Sequence, residues 1–76
     1  MEISVRDRLV LVGLNIAFYR KKKGMTQEQL AEIVGTSRTH ISNIEATKID
    51  KTPSLELLLK IADALDVEAE KLLHFR

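Results

Sequence analysis

Residues 25–45 read MTQEQLAEIVGTSRTHISNIE and divide into two short helices separated by a glycine turn. Thr26 opens the first: its side-chain oxygen can accept from a free amide of the first turn, and Gln29, three residues on, can reach back to the cap's own N–H. Leu30, Ala31, Ile33 and Val34 follow at helical spacing, and Gly35 supplies the left-handed conformation that ends a helix without a Cβ penalty. A helix over 26–34 is therefore expected. Ser37 caps a second, expected over 37–46, in which Ile41 and Ile44 lie three apart and share the buried face.

The remainder of that second helix is polar. At about 100° per residue, Thr39, Ser42 and Asn43 fall opposite Ile41 and Ile44, with Arg38 flanking them at the N-terminal end. A helix that only covers a core favours Glu and Lys in i,i+4 pairs, whereas Thr, His, Ser and Asn favour the helix less. Two readings stand: an ordinary polar face, or a face whose side chains are chosen for hydrogen bonding to a ligand. Arg can be bidentate to guanine O6 and N7, Asn to adenine N6 and N7, and a Thr methyl can touch the thymine methyl, all within reach of a helix in the major groove.

Thr26-Gln27, Leu30-Ala31, Gly35, Ser37, Ile41-Ser42 and Ile44-Glu45 together resemble the lambda-repressor-like, Cro or XRE-type helix-turn-helix family. The likeness runs from about Val12 to Leu73, and Gly24, Pro53-Ser54, Leu58, Ile61-Ala62 and Ala64-Leu65 extend it. The resemblance implies a transcriptional regulator that binds double-stranded DNA without a cofactor. By the same resemblance Gln27 meets phosphate, with the caps Thr26 and Ser37 beside it, and the helix over 37–46 reads bases through Arg38, Thr39 and Asn43, joined by His40 and Ser42. The loop after it, with Lys48, Lys51 and Thr52, is expected at the phosphate backbone. Two departures mark this chain: Ala46-Thr47 stands where a Gly is usual, and the fourth helix ends at Asp66 in place of Gly. Asp tolerates the left-handed region better than most residues.

The other segments supply a scaffold. A helix over 5–23 can be capped by Ser4 with Asp7, and Val5, Leu9, Val12, Ile16 and Tyr19 trace its apolar stripe. Thr52 with Pro53, or alternatively Ser54, starts a helix over 53–65 whose Leu55, Leu58, Leu59, Ala62 and Leu65 define a core face; Leu57 and Ile61 can be read either way. A short helix over 69–74 follows. With no strand alternation and no internal repeat, the expectation is an all-α, five-helix domain spanning residues 1–76.

A second apolar stripe is left over. Leu11, Leu14 and Phe18 fall nearly opposite Val12 and Ile16, and a chain of 76 residues cannot easily bury both sides of one helix. Either these residues form a dimer or partner surface with Leu72, Leu73 and Phe75, or the C-terminal tail folds back over them. Dimerisation suits DNA reading, because a two-fold pair of recognition helices reads half-sites about 34 Å apart. A homodimer on a pseudo-palindrome is the expectation.

Composition excludes several other classes. There is no cysteine, and hence neither a disulfide framework nor a thiolate metal site; no apolar run is long enough to span a membrane, so a cytoplasmic protein is expected. Net charge is only +1, but Arg20 and Lys21–Lys23 form a basic run that suits a helix C-terminus and offers an edge for steering DNA, while acid collects in the C-terminal third. His40 and His74 are the only near-neutral bases, and neither has a partner suggesting catalysis or metal binding, so no enzyme is expected. The rival reading is an antitoxin or interaction module whose main ligand is another protein.

Overall fold

Ser4 sets the start of the chain's first helix, its hydroxyl oxygen accepting the Asp7 N–H at 3.0 Å. The structure, a computed structural model, describes residues 3–48 and 51–75, and among them are five helices and no strand. Helix α1 (Val5–Lys22) carries Arg20, Lys21 and Lys22 in its last turn, where positive charge faces the unpaired carbonyls. Helix α2 (Gln27–Val34) begins with the full reciprocal cap: Gln29 N–H donates to Thr26 Oγ1 at 3.0 Å, and Thr26 N–H donates to Gln29 Oε1 at 2.8 Å. It ends at Gly35, left-handed with φ 77°.

Helix α3 (Arg38–Glu45) is capped by Ser37, whose Oγ accepts the His40 N–H at 3.0 Å. It stops at Glu45, one residue short of the expected end, because Ala46 turns to an extended conformation (ψ 136°). Helix α4 (Leu55–Leu65) settles the choice of cap: Ser54 Oγ accepts the Leu57 N–H at 3.1 Å, so Thr52 and Pro53 precede the helix. Asp66 ends it in the left-handed region at φ 57°, as its chemistry allows. Helix α5 (Ala69–Leu72) is a single turn, shorter than the 69–74 expected.

Each helix sends one large side chain to the centre, Ile16, Leu30, Ile41, Ile61 and Leu72 in chain order, and all five are fully buried. Val12, Val34, Ile44, Leu58 and Leu65 close around them. Several expected core positions lie outside it. Val5 and Leu9 are 64% and 41% exposed because the first turns of α1 run past the core, and Leu55 and Leu59 are 71% and 48% exposed because α4 is rotated to bury Ile61 and half-bury Leu57. Ile33 likewise faces solvent on α2.

Gly13 decides how closely α1 can cross α3. A side-chain carbon there would fall on the Ile44 carbonyl oxygen, so only glycine lets the two backbones meet at this point.

Candidate nucleic-acid interface

Ile41 and Ile44 fix the roll of α3 by burying one side of it, and the side chains expected to read bases are left on the other. Arg38 and Thr39 are exposed, and His40, Ser42 and Asn43 are half-buried at the border of that face. The caps Thr26 and Ser37 are exposed too, but their oxygens are engaged in starting α2 and α3. A hydroxyl that accepts from a backbone amide still has its own proton to give, so capping and phosphate contact are compatible.

Beside this face lies a buried polar network. Glu45 receives three donors: Arg20 Nε at 2.7 Å on Oε2, Arg20 Nη2 at 2.9 Å on Oε1, and Gln27 Nε2 at 2.9 Å on the same Oε1. Arg20 Nη1 completes the set by donating to the Met25 carbonyl at 2.6 Å. The fork-to-carboxylate geometry is the strong, directional kind of ion pair, and its side chains are only 8% and 6% exposed. It ties the end of α1, the loop before α2, the first residue of α2 and the last residue of α3 to one another.

Arg20 therefore leaves the basic run to which it was assigned: it is a structural ion-pair partner, and Lys21, Lys22 and Lys23 alone are exposed there. Glu45 and Arg20 were not among the expected site residues. The signal for Arg20 was its position, four residues after Ile16 on the buried stripe, where a charge needs a partner. Gln27 is half-buried, and its side-chain amide is held by Glu45, which leaves one amide proton to point outward.

The loop residues expected at phosphate are exposed, and Lys51 and Thr52 gather with Arg6 and Thr47 around a shallow cleft at the end of α3. Of the apolar set, Leu72 is withdrawn from the surface, since it is completely buried and anchors α5 to the core. Phe75 is half-buried against the core, while Leu14, Phe18 and Leu73 are 42%, 58% and 46% exposed. Among the described residues no helix is long and apolar enough to cross a membrane.

Comparison with known proteins places this geometry. The helix-turn-helix family model matches residues 16–72. The HTH-type transcriptional regulator SinR of Bacillus licheniformis is 36% identical over 64 residues, covering 84% of this chain and 57% of SinR, so the chain spans little more than half of that relative. The control protein C.SmaI of Serratia marcescens is 35% identical over 72 residues, covering 95% of this chain and 83% of C.SmaI. The crystal structure of SinR, the master regulator for biofilm formation, in complex with DNA superposes with a TM-score of 0.75 at 36% identity, covering 83% of this chain and 98% of the SinR chain.

Proposed function

The chain belongs to the XRE-type helix-turn-helix family, and from that premise we propose that it is a sequence-specific DNA-binding regulator of repressor or controller type, laying α3 in the major groove. The observation that carries this reading is the outward face of α3: Arg38 and Thr39 in solvent, with Ser42 and Asn43 at the border. Arg38 and Asn43 can form bidentate contacts to base edges and Thr39 and Ser42 single ones, and the buried Ile41–Ile44 side keeps this face turned outward. Gln27, Thr26, Ser37 and the loop residues Lys48, Lys51 and Thr52 hold the backbone on either side. Such contacts position the protein without reading sequence.

One α3 spans few base pairs, so the proposed working unit is a homodimer on two half-sites about 34 Å apart. The proposed role is binding without catalysis, carried out in the cytoplasm where the operator lies. The test begins with a sequence selected from random DNA. Replacing Arg38 and Asn43 by Ala is expected to cost about 1–3 kcal/mol for each lost base contact and to erase the preference for the selected sequence. Lys48→Ala should weaken all sequences alike and reduce the salt slope by about 1. Competition titrations against unselected DNA separate the two effects, and selectivity that survives the Arg38 and Asn43 replacements overturns the reading.

A further inference from the structure

One side of α1 and the tail that returns beside it form a groove with an apolar floor and a basic rim. Leu11, Leu14 and Phe18 line it from α1, with Leu14 and Phe18 42% and 58% exposed. Asn15 builds the opposite wall: its Nδ2 donates to the Leu72 carbonyl at 3.0 Å and to the His74 carbonyl at 3.1 Å, which holds the tail backbone alongside and brings Lys71 and His74 to the edge of the groove. Phe75 packs against the core and leaves the groove open. Phe18 is held in place although exposed. Its ring meets Tyr19 edge to face with centroids 5.0 Å apart, and Lys22 Nζ lies 6.0 Å from its own centroid. An aromatic ring fixed in this way loses little freedom when a partner packs on it.

The charge around this floor is of one sign. Among the described residues no carboxylate lines the groove. Lys22 stands at the Phe18 end, Lys71 and the His74 imidazole stand along the tail edge, and Lys21 lies on the same side of α1 as Leu14, about 20° from it at 100° per residue. Lys21 and Lys71 are exposed, and neither forms an ion pair with another described residue. The acids of these elements are placed elsewhere. Asp7, beyond Leu11, stands between Arg6 and Arg8 in the chain, Glu68 lines a separate cleft against α4, and Glu70 is exposed on α5 outside the groove.

Such a surface fits a partner with apolar side chains along its middle and anions beside them. Leu11, Leu14 and Phe18 cover about 10 Å, two turns of a helix. A helix laid along them meets the floor with apolar residues at i, i+3 or i+4, and i+7, the pattern of helix-in-groove recognition. A strand has no place here, because the described residues include no sheet edge for it to join. DNA would set phosphates against Leu14 and Phe18, and a second α1 would set lysine against lysine. We propose that the groove between α1 and the tail docks an acidic amphipathic helix of a different protein. Neither α3 nor the loop after it takes part, so the contact does not depend on the DNA-binding role.

Short helical peptides displayed on phage supply the probe, selected on the whole chain and depleted on Leu14→Ser. The survivors are expected to carry apolar residues at i, i+3 or i+4, and i+7, with Asp or Glu beside them. By fluorescence anisotropy, a synthetic copy of a selected peptide should bind Phe18→Ser, and separately Lys22→Glu with Lys71→Glu, about tenfold more weakly than the wild type; replacing its acids by Lys should restore binding to the charge-reversed chain. In nitrogen-15 NMR spectra the peptide should shift the amides of residues 11–18 and 71–74 and leave those of α3 unmoved. Helical circular dichroism checks that each variant is folded. An empty selection, survivors with neutral or basic flanks, or shifts that fall on α3 overturn the proposal. So do groove amides that move with a short DNA duplex or with chain concentration alone, which would give the groove to DNA or to a second copy.

Discussion

Glu45 does two jobs with one carboxylate, neutralising a buried guanidinium and holding the Gln27 amide at 2.9 Å. Removing one member of such a pair leaves the other charged and desolvated, which costs about 3–5 kcal/mol. Glu45→Ala is therefore expected to unfold at a much lower denaturant midpoint, whereas replacing Arg20 by Met and Glu45 by Leu together should recover most of the loss. Chemical denaturation followed by circular dichroism distinguishes the outcomes. Arg20 on the buried stripe signalled that a partner was needed, but which residue supplies it was hidden, because Glu45 is 25 residues away and reads as a plain helix end. Gly13 was equally hidden. Its need for a bare Cα comes from the Ile44 carbonyl of another helix, and nothing in its own neighbourhood announces that contact.

At the scale of the element, what was legible is what is decided locally. Thr26, Ser37 and Gly35 do the work their chemistry suggests, because a cap is satisfied by amides three residues away. The reading of α3 as a helix with one buried and one polar side held for the same reason. Which side of α4 is buried was another matter: Leu59 and Ile61 are equally apolar, and only packing against the other helices chose Ile61. The short helices lean on their caps. Thr26→Ala removes the acceptor for Gln29 N–H and should lower stability by about 1 kcal/mol. Asp66→Gly should act in the opposite direction by up to about 1 kcal/mol, since Asp66 holds φ 57° at some steric cost. For a chain of this size each kcal/mol moves the melting temperature by about 4–8 °C, within reach of calorimetry.

For the molecule as a whole, the surfaces proposed for reading and for assembly with a partner lie to opposite sides of α1. The proposed base-reading groups lie on α3, beyond the Gly13–Arg20 contact, and the Leu14–Phe18 face lies on the opposite flank. A variant impaired in docking should keep both the sequence preference of a single half-site and the cooperative filling of two. Leu14→Glu is expected to bind an isolated half-site within about twofold of the wild type, with an equal slope on a paired site. Quantitative gel-shift curves on the two DNAs provide the measurement, and equal slopes on the paired site would show that the Leu14–Phe18 face takes no part in assembly of the homodimer.

The crossing at Gly13 gives the two sides a mechanical relation. Where helices meet through side chains, a small tilt of one is absorbed by rotamer changes; at this crossing the α1 backbone rests directly on the Ile44 carbonyl, and there is no side chain at Gly13 to yield. The contact is a fulcrum. A push on the outer face of α1 finds no rotamer to take it up at this crossing, so it reaches the last turn of α3 and bears on the pitch of the proposed reading helix.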